Sequence, residues 1–94
     1  MNPTKLSSYL GFAQKANKIV FGIDNITRKK KPYCLFLVCE SASERLIKDI
    51  KSYAQDKIPF YLVDNLSGLL NKNGVKAIAI TDKNLAGAII KELS

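Results

Sequence analysis

The chain has 94 residues, and its 15 Lys and Arg against 8 Asp and Glu give a formal net charge of +7. At this length, with 47% hydrophobic and 24% charged residues, we expect one folded domain over residues 1–94 and exclude a disordered chain. The positive charge favours a polyanionic partner, and no apolar run is long enough for a membrane span or a signal peptide, so we expect a cytoplasmic protein without a membrane partner.

The first half of the chain alternates between helical and strand patterns. Apolar side chains recur at three- and four-residue steps from Pro3, which predicts a helix that stops near Asn17. "KIVFG" then predicts a short strand closed by Gly22, and "IDNITRKK" a short helix that ends before Pro32. "CLFLVC" is apolar on both sides, which is typical of a central strand covered on two faces.

The second half continues the alternation. In "SASERLIKDIKSYAQD", Ser41 and Glu44 have the spacing of a capping box, which predicts a helix that starts at Ser41 and carries a basic outer face. The remaining elements are a strand in "FYLVD", a short helix and loop in "NLSGLLNKNG", a strand in "VKAIAIT" and a helix in "DKNLAGAIIKEL". This order predicts an α/β fold, specifically a three-layer α/β/α sandwich.

Few residue types are available for catalysis or metal binding. The chain has no His and two cysteines, Cys34 and Cys39, which do not form a C-x-x-C pair. A recognisable set of transition-metal ligands and the usual general base near neutral pH are therefore missing. We predict no catalytic residue, no metal site and no cofactor.

The segment "GIDNITRKKK" combines features that suit a phosphate-bearing ligand. Gly22 lets a backbone come close, and a helix start offers free N–H groups that favour phosphates. Asp24 and Asn25 could read base edges, and Arg28 follows Asp24 by about one helical turn. The basic residues that we predict to contact phosphates are Lys18, Arg28, Lys29, Lys30 and Lys31. The same segment has an equally good structural interpretation, in which Asp24 or Asn25 caps the helix and the lysines form a solvated end.

Several longer segments resemble a known family. "LSSYLGFAQKANKIVFG", "LFLVCESASE", "IPFYLVDNLSGLL" and "VKAIAITDKNLAGAI" resemble the bacterial YlxQ-like branch of the kink-turn-binding ribosomal protein superfamily, nearly end to end. The resemblance implies an α/β/α sandwich with a four-stranded mixed sheet, and non-catalytic binding to structured RNA. It also implies that the glycine at a helix start, an Asn-Glu pair in the first turn and a Lys one turn later engage sheared G·A pairs and the RNA backbone.

By position, these family residues fall on Gly22, Asp24, Asn25 and Arg28. The carboxylate and the amide have exchanged places in this chain, and Arg replaces Lys. A carboxylate accepts from guanine N–H groups and an amide both donates and accepts, so the chemistry of base recognition is retained.

The resemblance also implies a second RNA-contacting loop in "NKNGV", residues 71 to 75. Its candidate contacts are Asn73, Gly74 and Val75. The chain departs from the family nearby, because the family's Leu-Gly pair is Leu66-Ser67 here.

The leading hypothesis is therefore a monomeric RNA-binding protein that recognises a kink-turn or a similar G·A-rich bent internal loop in ribosomal or regulatory RNA, on the ribosome or in another ribonucleoprotein. The alternative is a protein-interaction module that keeps the fold but has lost specific RNA recognition. A small-molecule enzyme is the third class and has the least support. A comparison of binding to a bent, guanine-rich RNA with binding to a straight duplex distinguishes the RNA-binding protein from the protein-interaction module.

Overall fold

Helices and strands alternate along residues 3–93, which are the residues that this computed structural model describes. The elements are α1 (Pro3–Lys15), β1 (Ile19–Phe21), α2 (Ile23–Lys29), β2 (Leu35–Cys39), α3 (Glu44–Ala54), β3 (Phe60–Val63), α4 (Leu66–Leu70), β4 (Ala77–Ile80) and α5 (Lys83–Leu93). The predicted order of elements is confirmed. Among the described residues, no helix is long and apolar enough to cross a bilayer.

The four strands form one mixed sheet in the order β1-β4-β2-β3. β4 is antiparallel to both β1 and β2, whereas β2 and β3 are parallel. β1, β2 and β3 therefore finish at the same end of the sheet, where β4 begins. We call it the Gly22 end, formed by residues 22–25, 40–42, 64–65 and 71–76. The opposite end, where β1 begins, is the Lys18 end.

Two apolar clusters cover the two faces of the sheet. Leu37 and Ile78 lie in one cluster with buried residues of α1, α4 and α5. Phe36 and Ala79 lie in the other, with buried residues of α2 and α3. Alternate residues of a strand point to opposite faces, so a strand packed on both sides must be apolar at every position. Every residue of β2 and β4 is buried, which confirms the three-layer sandwich.

The start of α3 differs from the prediction. The N-cap is Ser43, whose hydroxyl accepts a hydrogen bond from the Leu46 N–H at 3.1 Å. Ser41 lies two residues earlier, in a turn where the Ala42 N–H donates to the Cys39 carbonyl. The capping-box spacing was misleading because this turn places Ser41 beside the sheet end, and not over the first N–H groups of the helix.

Candidate nucleic-acid interface

Gly22 links β1 to α2 in a conformation that favours glycine. Its φ of 80° and ψ of 149° fall in a region that L-residues rarely adopt. Its N–H donates to the Ala77 carbonyl at 2.9 Å, and its own carbonyl accepts from the Ile26 N–H at 3.0 Å. A Cβ built on Gly22 would have no neighbour within 4 Å. The backbone angle, and not crowding within the chain, therefore requires glycine here.

Asn25 joins the end of β1 to the body of α2. Its Nδ2 donates to the Phe21 carbonyl at 2.9 Å, and its Oδ1 accepts a hydrogen bond from the Arg28 guanidinium. The side chain is half-buried, whereas the neighbouring Asp24 and Arg28 are exposed. An amide has two N–H groups and an acceptor oxygen with two lone pairs. Asn25 consequently keeps one N–H and one lone pair beyond its bonds within the chain.

The basic run lies at the far end of α2. The helix ends at Lys29, and Lys30 has a φ of 48° as the C-cap. All three lysines, Lys29, Lys30 and Lys31, are exposed. The chain is anchored directly after them, because the buried Tyr33 hydroxyl donates to the Ile26 carbonyl at 2.7 Å. A seven-residue helix rises by about 10 Å, so the run lies well away from the Gly22 turn.

The second candidate loop, residues 71–75, is clamped to α4. The Ser67 hydroxyl donates to the Val75 carbonyl at 3.0 Å and accepts from the Val75 N–H at 3.1 Å. Val75 is buried, while Asn73 and Gly74 are exposed. Gly74 has a φ of 77° at the tip of the loop. Ser67 thus holds the loop through both main-chain groups of one residue.

Lys72 brings this loop to the Gly22 turn. Its Nζ lies 4.3 Å from the centroid of the Phe21 ring, in the range of a cation–π contact. Phe21 is the last residue of β1 and directly precedes Gly22. Together with the bond from Gly22 to Ala77, this contact makes the two segments one continuous surface.

Lys18 lies at the other end of the sheet. Its carbonyl accepts from the Thr81 N–H at 2.9 Å, where β4 ends. The length of β1 separates it from Gly22, which corresponds to about 13 Å at the rise of an extended chain. The structure does not bring Lys18 together with the other candidate residues at the Gly22 end.

Charge is unevenly distributed along the Gly22 end. Lys72 and Lys76 lie in the segment that enters β4, next to the end of β1, whereas the exposed Glu40 and Asp64 follow β2 and β3. On the β1–β4 side these two lysines outnumber the single carboxylate of Asp24, so the strand order places the excess of positive charge there and negative charge on the β2–β3 side.

A polar cleft of about 420 Å³ lies between these charges, beside Cys39, Ser41 and Lys76. The Cys39 sulfur is 3.1 Å from the Ser41 hydroxyl, which accepts a hydrogen bond from Lys76 Nζ at 2.8 Å. Burial raises the pKa of the Cys39 thiol, but hydrogen bonds with Ser41 and Leu66 and the charge of Lys76 together lower that pKa overall. The Lys76 charge is thus directed into the cleft.

Comparison with known proteins bears on the fold. No protein-family model and no curated protein matches the sequence. Among solved structures, a protein of unknown function from Bacillus halodurans C is similar, with a TM-score of 0.83 and 19% identity over 93% of this chain and 94% of that chain. At this identity, the likeness supports the α/β fold.

Two residues of this surface, Lys72 and Ser67, were not predicted as site residues from the sequence. Lys72 is one of 15 basic residues, and only the strand pairing places it over Phe21. Ser67 stands where a glycine was expected, and its two bonds to Val75 depend on the path of the following loop. A basic residue flanked by Asn71 and Asn73 was the one available signal for Lys72.

Proposed function

We propose that this protein binds structured RNA without catalysis and recognises a kink-turn or a similar G·A-rich bent internal loop. The observation that carries the proposal is the contact of Lys72 with Phe21, which joins the Gly22 turn and residues 71–75 into one surface. RNA of this kind is recognised through its shape, its backbone and its exposed base edges, which requires such a composite surface.

The residues of this surface have separate roles in the proposal. The exposed Asp24 carboxylate accepts from guanine N–H groups, and the remaining N–H and lone pair of Asn25 face an adjoining base. Arg28 and Lys72 hold phosphates beside these bases, and Lys29, Lys30 and Lys31 extend the basic track along α2. Ribosomal and regulatory RNAs are the proposed sources, and crosslinking in the host followed by sequencing of the attached RNA identifies them.

The direct test compares two RNAs of equal length, one with tandem G·A pairs beside a bulge and one fully paired. Fluorescence anisotropy at two salt concentrations measures both affinities. We expect tighter binding to the bent RNA, and we expect Arg28→Ala to weaken both complexes. Lys83→Ala is the matched control, because Lys83 is exposed at the start of α5, at the Lys18 end. Equal affinity for both RNAs would contradict the proposed specificity.

A second candidate function is a protein-interaction module on the same fold. The bonds from Asn25 to Phe21 and Arg28 favour it, because they already use part of the base-reading amide within the chain. In that case, the protein binds both RNAs weakly, and the Asn25→Ala variant binds them as the unchanged protein does.

A further inference from the structure

β3 forms an open edge of the sheet. It is the last strand in the order β1-β4-β2-β3, and within residues 3–93 it pairs only with β2. The Phe36 N–H donates to the Pro59 carbonyl and the Glu40 N–H to the Val63 carbonyl. In a parallel ladder, alternate residues bond to the neighbouring strand, so this register turns Tyr61 and Val63 towards β2. The main-chain N–H and C=O groups of Phe60 and Leu62 therefore point outwards.

The side chains of this edge lack the usual protection against pairing. Natural edge strands commonly carry lysine, proline or a bulge that discourages the addition of another strand. The four residues of β3, "FYLV", contain no charge and no proline, and these protective residue types stand only at its two ends, as Pro59 and Asp64. Leu62 is 46% exposed, which is unusual for a large apolar side chain in this protein. The edge offers free main-chain groups, and the half-buried Tyr61 offers an apolar contact on the face opposite to Leu62.

Positive charge flanks the start of the same edge, whereas the exposed Asp64 follows its end. A groove of about 520 Å³ runs beside the start of β3, lined by Lys51, Lys57, Phe60 and their neighbours, which include the acidic Asp56. Lys51 Nζ lies 5.7 Å from the centroid of the Phe60 ring. Phe60 packs on the α3 face of the sheet, and alternation places Leu62 on that face too. An added strand would therefore place alternate side chains beside these two lysines.

We propose that β3 accepts an extended segment of a protein partner, in which acidic side chains alternate with apolar ones, as a fifth strand. Main-chain bonds to Phe60 and Leu62 supply affinity, and the acidic side chains select the segment through Lys51 and Lys57. A second copy of this chain is a poorer occupant, because two molecules of charge +7 repel each other. The edge lies three strand spacings from β1, about 14 Å, so the proposal is independent of RNA binding.

Amide hydrogen exchange measured by NMR tests this proposal residue by residue. The probe is an eight-residue peptide of alternating Val and Glu with blocked ends, titrated into the full chain. We expect exchange of the Phe60 and Leu62 amides to slow by about tenfold or more, because new hydrogen bonds protect them. Tyr61 and Val63 amides already bond to β2 and should change little. The double variant Lys51→Gln/Lys57→Gln should weaken the effect, and the control Lys83→Gln should leave it intact.

Three outcomes would overturn the proposal. Unchanged exchange at Phe60 and Leu62 would mean that the edge does not accept a strand. Equal slowing by a peptide of alternating Val and Lys would remove the charge selection. Slowing without peptide that grows with protein concentration would identify a second copy of the chain as the occupant.

Discussion

At the scale of single residues, the proposed function gives Asn25 a part in both stability and recognition. Asn25→Ala removes the bonds to Phe21 and Arg28 together with the remaining base-facing groups. We expect a loss of about 1–3 kcal/mol on the bent RNA and a much smaller loss on the duplex, because a lost base contact matters only where that base is exposed. Anisotropy measures both, after thermal melts establish that the variant is folded.

The control for Asn25 is Thr27→Ala on the same helix. The Thr27 hydroxyl is exposed and donates only within α2, to the Ile23 carbonyl at 2.9 Å and to the Asp24 carbonyl. Its removal should leave the preference for bent RNA intact. Equal losses for Asn25→Ala on both RNAs would contradict base reading by this amide.

Gly22 provides a second prediction at this scale. Gly22→Ala should lower the free energy of unfolding by about 1–3 kcal/mol, because a Cβ strains a backbone with φ 80° and ψ 149°. Denaturant unfolding measures the loss. Gly87→Ala is the control: Gly87 lies inside α5, where an added Cβ meets nothing within 4 Å, so alanine should stabilise the helix. An unchanged free energy of unfolding for Gly22→Ala would show that the turn accommodates a Cβ without strain.

At the scale of elements, Ser67 determines how firmly residues 71–75 are held. Ser67→Ala removes both hydrogen bonds to Val75 and leaves the N–H and C=O groups of this buried residue without the Ser67 hydroxyl as their partner. We expect a loss of about 1–3 kcal/mol in stability and faster exchange of the Val75 amide. Ser52→Ala, at an exposed position of α3, serves as the control. Unchanged exchange at Val75 would show that the loop is held by other contacts.

At the N-terminus of α3, the observed cap Ser43 and the predicted cap Ser41 should respond differently to substitution. Ser43→Ala should destabilise the protein by about 0.5–2 kcal/mol, because it removes the acceptor for the Leu46 N–H. Ser41→Ala leaves that cap in place and removes the bonds with Cys39 and Lys76. Thermal unfolding of the two variants, followed by circular dichroism, makes the comparison. A loss of helix stability for Ser41→Ala alone would support the cap that the sequence predicted.

Elements were easier to predict than contacts between them, for a physical reason. Apolar periodicity depends on which face of an element is buried, so the apolar "CLFLVC" correctly predicted a central strand. Which serine caps α3 depends on the conformation of the preceding turn, and a turn leaves no periodic pattern in the sequence. The meeting of Lys72 with Phe21 depends on the pairing of β1 with β4, and such long-range pairing leaves no local pattern. Lys18 was grouped with Gly22 because both flank β1. The two residues are far apart in the structure because they lie at opposite ends of that strand.

At the scale of the whole molecule, the net charge of +7 predicts steep salt dependence of RNA binding. Replacing Lys29, Lys30 and Lys31 with Gln should reduce the slope of log affinity against log salt by about 2 if all three neutralise phosphates. The control replaces the exposed Lys48, Lys57 and Lys83 and removes the same charge elsewhere. Equal slopes for the two triple variants would place the basic run of α2 outside the RNA footprint.

The uneven charge along the Gly22 end also affects how an encounter begins. Lys72 and Lys76 attract an approaching polyanion on one side, while Glu40 and Asp64 repel it on the other. For the RNA ligand that we propose, this pair of forces would act as a torque that rotates the RNA before contact. Under the proposed function, a larger share of collisions would then arrive in the productive orientation, with the RNA over β1 and β4.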